Sequence, residues 1–370
     1  MNKIITILTI SLIPFILSTP AFSGEFPIIS DSTVIGQNYG YPSGTNGLTE
    51  VNSLDLIVET TFFLKNLEIV DLPIDGETFI GYLAPLRLRY RAHEKVTLEA
   101  GAILGHNFGD DEDIDEVEPL LRIAYEPIRD VFVIAGTIIR THPMHDALYD
   151  DVNAFKEIAE QGFQIRSDKG WLKEDMWINW RVRETSIRAE RFVFANSTQM
   201  RYNGIYLDGQ LYWAHTGGQK NTDDRLENNV TLLAGGSYGV SPQSLKDLIN
   251  LKEIRIGGYY LYNHDYSRNV KESDGDGFEG RITADIMPAK NTVISIFGSY
   301  FKGDEILARD GDPLYSMDEY AQLGTNILFN LPAGLRIEFG MVGQFVKDKF
   351  VHTEQLYLTW GKAFNLLRNI

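Results

Sequence analysis

Beyond residue 50 the chain alternates apolar and polar residues with a period of two. In 85–91, Leu86, Leu88 and Tyr90 face one way and Arg87, Arg89 and Arg91 the other, as successive side chains of a strand must. Segments 335–339 and 280–286 separate in the same way. Met176, Ile178, Trp180 and Val182 oppose Asp175, Trp177, Asn179, Arg181 and Arg183. Ile205, Leu207, Leu211 and Trp213 oppose Tyr206, Asp208, Gln210 and Tyr212. The pattern predicts about sixteen strands. They lie near 53–65, 77–90, 95–106, 116–127, 130–141, 161–168, 171–183, 188–200, 205–216, 229–239, 252–264, 278–287, 291–302, 317–330, 334–346 and 349–360. Several run to about 10–14 residues, longer than the roughly 5–6 of a soluble sheet and enough for the roughly 9–11 that cross a bilayer at a tilt.

The gaps carry a second pattern. Even-numbered gaps at 92–94, 127–129, 168–170, 203–204, 288–290 and 332–333 read as tight turns. Odd-numbered gaps hold the acidic stretches 109–115, 143–160, 217–228, 266–277 and 303–316. In the even gap 241–251, residues 242–248 read as a short periplasmic helix, and the odd gaps near Glu184 and Asp348 are tight. The prediction is an all-β chain: a transmembrane antiparallel up-and-down β-barrel with short periplasmic turns and longer acidic extracellular loops. Loops 143–160, 217–228, 266–277 and 303–316 are expected to face outside.

The N-terminus reads as an address. Lys3, the apolar run 4–17 broken by Pro14, and Ala21, Phe22 and Ser23 before Gly24 have the form of a secretory signal over 1–23. Residues 24–50 are turn-rich and do not alternate, and are expected as a flexible periplasmic or lumenal segment. The barrel is expected over 51–360 and a tail over 361–370. Signal, long strands, turn and loop alternation, and a last amphipathic strand of Gln355, Leu356, Tyr357, Leu358, Thr359 and Trp360 together resemble a Gram-negative outer-membrane β-barrel of the porin type. The resemblance covers about residues 50–360 and implies an outer-membrane location after signal removal. Such barrels finish on an aromatic residue. Here 361–370 follows Trp360 and includes Phe364, leaving the assembly signal at Trp360 or further on.

Composition narrows the function. The 370 residues include no cysteine, which excludes disulfide scaffolds, zinc–thiolate sites and cysteine enzymes. Lys+Arg 34 against Asp+Glu 51 gives a net charge of −17, which speaks against a nucleic-acid partner. The register places Arg87, Arg89, Arg122, Lys173, Arg181, Arg183, Arg255, Arg281 and Arg336 on the inner face. Glu99, Glu126, Asp175, Asp208, Glu253, Glu279, Asp285 and Glu338 share it. On the lipid face Arg or Lys would cost about 2–4 kcal/mol at mid-membrane. These residues are the pore-lining candidates, or else pair across strands and hold the wall together. Trp177, Trp180, Trp213 and Trp360 are candidates for an interfacial girdle.

Other chemistry is thin. The acidic runs 110–116, 274–277 and 310–312 have carboxylate spacings that suit calcium, but none completes the twelve-residue hand motif. His142 and His145 lack a third ligand, and there is no G-x-S-x-G elbow. The expected function is passive diffusion of small hydrophilic solutes or ions, with no catalytic residue, metal or cofactor. The alternatives are a scaffold barrel sheathing a partner such as an electron carrier and, lower, a barrel-wall lipid hydrolase. The expected partners are outer-membrane lipid and small solutes, with a homotrimer or a periplasmic partner as the assembly. An open axis favours transport and a filled interior favours the scaffold.

Overall fold

The computed structural model describes residues 50–69, 72–109, 116–218, 226–267, 272–304 and 306–368. The expected signal and most of 24–50 lie outside them. The strands are β1 (Ser53–Glu68), β2 (Thr78–His93), β3 (Val96–Asn107), β4 (Glu116–Ile128), β5 (Val131–Thr137), β6 (Gln161–Lys169), β7 (Leu172–Val182) and β8 (Glu190–Tyr202). They continue as β9 (Ile205–Gly217), β10 (Glu227–Val240), β11 (Leu251–Ser267), β12 (Ser273–Ala289), β13 (Thr292–Gly303), β14 (Glu319–Asn330), β15 (Leu335–Val346) and β16 (Lys349–Leu367). Each pairs antiparallel with its sequence neighbours, and β16 closes on β1 to complete the barrel. Closure leaves no edge strand.

Alternation sets the two faces. Leu86, Leu88, Leu121, Ile123, Ile256, Ile282 and Leu323 are exposed on the outer wall. Arg87, Arg89, Glu99, Arg122 and Glu279 are buried on the inner one. Short turns join the strands at one end, and the turn between β10 and β11 holds a short helix there (Gln243–Ile249). Residues 361–367, expected as a tail, instead extend β16 and pair with β1 as far as Leu54↔Leu367.

The long connections lie at the other end, but two of them turn inwards. Ile138, His142, Met144, Leu148, Tyr149, Phe155 and Ile158 in the β5–β6 connection are buried, as are Ile306, Leu314 and Tyr315 in the β13–β14 connection. The outward expectation for 143–160 and 303–316 is therefore corrected. Both segments carry too many large apolar residues to remain in water. The first includes a one-turn helix, α1 (Asn153–Lys156). The two loops meet at the Tyr149↔Asp310 bridge, with Asp150 N donating to Asp310 O at 2.7 Å and Asp312 N to Asp146 O at 2.8 Å.

The inward turn starts at a glycine. Gly136 has φ +99°, and a Cβ there would stand 2.1 Å from the Leu121 carbonyl oxygen. Its register partner Gly162 leaves a Cβ only 2.0 Å from the Ile178 oxygen. Only glycine accepts both the left-handed backbone and the close approach at Gly136. β5 accordingly stops at Thr137, short of the strand expected to 141.

Candidate functional site

Four polar clusters fasten the inward loops to the wall. His142 stacks on Trp177 with ring centroids 3.6 Å apart. Its Nε2 donates to Glu160 Oε2 and its Nδ1 to Asp175 Oδ2, both at 2.9 Å. Carboxylates only accept, so both ring nitrogens carry protons and the ring is an imidazolium. Burial lowers its pKa, but Glu160 and Asp175 outweigh burial and raise it. Burial likewise raises Glu160, yet His142 draws it down to about 2. Tyr149 Oη donates to Glu160 Oε1 at 2.8 Å and Gln164 Nε2 to Asp175 Oδ1 at 2.8 Å, so the network is closed.

The second cluster joins His145 to Glu279 at 3.3 Å, with Arg281 and Tyr315 also on Glu279, at 2.7 and 2.6 Å. In the third, Arg181 spans Glu157 at 3.0 Å and Asp310 at 2.8 Å, and Tyr212 donates to the same Asp310 oxygen. In the fourth, Lys65 binds Asp151, with Asp150 at 3.5 Å. Asp146 and Asp312 face the same cavity. Burial pushes Asp151 and Asp312 up to about 7 and Asp146 well above its ordinary range. Asp150 is held down by Lys65 despite burial.

The remaining inward candidates are mostly paired. Arg89 and Arg122 meet Glu99 at 2.6 and 2.9 Å, and Arg87 meets Glu59 at 2.5 Å. Glu253 pairs with Arg255 at 3.0 Å, and Glu338 pairs with Arg336. Asp208 accepts from Gln199 at 2.7 Å and Asp285 from Ser295 at 2.6 Å. Lys173 is half-buried near the short-turn end, and Glu126 accepts from Asp130 N at 3.0 Å in a turn. Arg183 lies past the end of β7 and is exposed. Trp177 is interior, which removes it from the expected girdle.

Among the described residues no group of three His, Asp or Glu is placed to hold a metal. The acidic run 274–277 is part of β12, and 310–312 belongs to an inward loop. Residues 110–115 lie outside the described residues.

The outer wall holds a polar group that the sequence analysis passed over. His264 on β11 and Asp274 on β12 are register partners on the lipid-facing parity, near the long-loop end. His264 Nδ1 donates to Asp274 Oδ1 at 2.8 Å, and Tyr262 Oη donates to the same oxygen at 2.7 Å. With Nδ1 engaged by Asp274, Nε2 is the ring nitrogen through which the imidazole can exchange a proton. The side chains are 35% and 62% exposed, open to the surroundings. Two strands away, His215 Nδ1 donates to Asn228 Oδ1 at 2.8 Å, and the ring packs on Phe192 with centroids 4.7 Å apart. The available signal was parity: His264 and Asp274 both fall on the outward parity of neighbouring strands.

The architecture defines a porin-type outer-membrane β-barrel. Within that class, the chain belongs to the family described as lipid A 3′-O-deacylase-type, whose model matches residues 47–369. The expectation of a non-enzyme is thereby corrected, because that is an enzyme family. No curated protein matches the chain. Among solved structures it is similar to the loop L8 deletion mutant of OmpT, an outer-membrane protein of Vibrio cholerae. The TM-score is 0.54 at 10% identity, covering 85% of this chain and 100% of that one. It is also similar to in-vitro folded OmpT of Vibrio cholerae in its trimer form, with TM-score 0.51 at 10% identity over the same shares, 85% and 100%. At such identity the likeness shows the fold.

Proposed function

We propose that the protein hydrolyses an ester-linked acyl chain of an outer-leaflet lipid of the lipid A type, with His264 as general base. Family membership supports the reaction class. The observation that carries the site is the partly exposed His264–Asp274 pair on the lipid-facing side of the barrel wall, whose contact engages Nδ1. Asp274 holds the tautomer, and Tyr262 holds Asp274. Nε2 takes a proton from water as its oxygen attacks the acyl carbonyl carbon. The bond from that carbon to the sugar oxygen then breaks, and the proton returns to the leaving alkoxide. The products are a fatty acid and a sugar hydroxyl.

The test is fatty-acid release from purified lipid A by folded protein in mixed micelles. His264→Ala should lower the rate by about 10²–10⁴-fold, with heat-modifiable mobility unchanged. Wild-type protein that releases no fatty acid overturns the reaction, and a fully active His264→Ala overturns the site.

Passive conduction is the second reading, favoured by the charged inner wall and opposed by the two loops that fill the middle of the barrel. The trimer form of the Vibrio cholerae barrel supports a homotrimer as the assembly to test, by cross-linking in native membranes.

A further inference from the structure

A row of polar side chains crosses the outer wall near its short-turn end. The register pairs Ser167 on β6 with Glu174 on β7, Glu174 with Thr198 on β8, and Thr198 with Gly209 on β9. The row has the lipid-facing parity, shared on the same strands by the exposed Phe163, Trp180 and Leu207. Glu174 is the third residue of β7, so the row lies close to the β6–β7 turn. Trp171 in that turn and Tyr202 at the end of β8 are exposed beside it, as aromatic residues are where a membrane wall meets the headgroups.

Glu174 is a carboxylate held by neutral groups. Its Oε1 accepts from Asn196 Nδ2, and its Oε2 accepts from Thr198 Oγ1 at 2.6 Å. Among the described residues no lysine, arginine or histidine pairs with it. An ionisable side chain in a membrane wall calls for a partner of opposite charge. The same row has a second unmet group: the buried Ser167 Oγ makes no hydrogen bond. It also has room, because a Cβ on Gly209 would meet nothing within 4 Å.

We propose that this row binds the headgroup of a phosphatidylethanolamine from the leaflet at the short-turn end, with its ammonium on Glu174 and a phosphate oxygen on the Ser167 hydroxyl. An ammonium brings both the missing charge and N–H donors. Two carbons separate it from the phosphate, a reach comparable with the roughly 4.8 Å between neighbouring strands. A choline headgroup has the charge but no N–H, and a glycerol headgroup has no cation. The site lies at the opposite end of the wall from His264 and does not depend on hydrolysis there.

The test is native mass spectrometry of the folded chain in detergent micelles, with equimolar dimyristoyl phosphatidylethanolamine, phosphatidylcholine and phosphatidylglycerol. One phosphatidylethanolamine per barrel should be retained about tenfold better than either of the others. Glu174→Gln, which keeps the size of the side chain, should erase the preference. Gly209→Leu, which fills the open space with a lipid-compatible side chain, should weaken retention of phosphatidylethanolamine in the same way. Heat-modifiable mobility identifies the folded barrel in each case. Equal retention of the three lipids, or a preference that survives either substitution, would overturn the proposal. So would disulfide-linked copies of Thr198→Cys in membranes, since the chain has no other cysteine and such a link would make this face a contact between copies.

Discussion

His142 shows how much one side chain can hold in place. It supplies the positive charge between two buried carboxylates, so His142→Ala would leave Glu160 and Asp175 facing each other across a gap. Breaking such a buried pair typically costs about 3–5 kcal/mol. The variant should keep its barrel but lose the inward loop, seen as protease cleavage within 144–158 at a concentration that spares wild-type protein. Uncleaved loop in a folded variant would mean that the other three clusters suffice. The same residues set a pH dependence. Asp151 and Asp312 rise from 3.8 to about 7 in the folded protein, so the folded state holds more protons across that window. Their contribution is therefore lost as pH climbs through it. His142 adds to this, since its raised value makes its contribution full below 6.5 and lost as pH passes its folded value. Glu160 works in the opposite sense: its contribution is present above 4.5 and disappears as pH falls towards about 2. Cleavage of the inward loop should thus increase as pH climbs from about 4 through about 7, and further above 6.5 as His142 gives up its proton. A flat profile would show that these groups do not govern the loop.

At the scale of the element, the strands were legible because a one-residue slip would put every charge into lipid. Leu86→Arg should accordingly impair folding far more than Thr283→Arg. Leu86 is 48% exposed on the outer wall and Thr283 shares the inward parity of Arg281. Equal heat-resistant fractions would place one strand out of register. The loops were less legible. Acidic content suggested hydrated surface for 143–160, but Met144, Leu148, Tyr149, Val152, Phe155 and Ile158 recur through it. That apolar content was the signal of burial, hidden because the segment has neither the period of a strand nor the length of a helix. The candidate base was missed for a different reason. His264 and Asp274 meet only across two strands, a pairing that spacing along the chain does not reveal. Gly136→Val tests where the inward turn begins. A β-branched residue cannot take the left-handed backbone there, so cleavage within 144–158 should rise. Unchanged protection would remove the glycine from that role.

For the whole molecule, filling of the interior predicts low conductance. Wild-type protein in planar bilayers should pass far less current than a variant in which 144–158 is replaced by a short Gly/Ser linker, because a barrel of this strand number has room for water once side chains are withdrawn. Equal currents would mean that the loops do not obstruct the path. The pairing of β16 with β1 has a further consequence, in time rather than space. Leu54 meets Leu367, so the first strand to leave the ribosome must wait for nearly the last residue before its outer edge is covered. Until then it presents a row of unpaired amides and carbonyls, the usual template for joining the wrong chain. Contacts this distant in sequence also form slowly. Until closure the chain is an unfinished object, and the mutual repulsion of its surplus carboxylates works against joining its copies. Shortening it by a few C-terminal residues should damage insertion far more than the same loss from any loop.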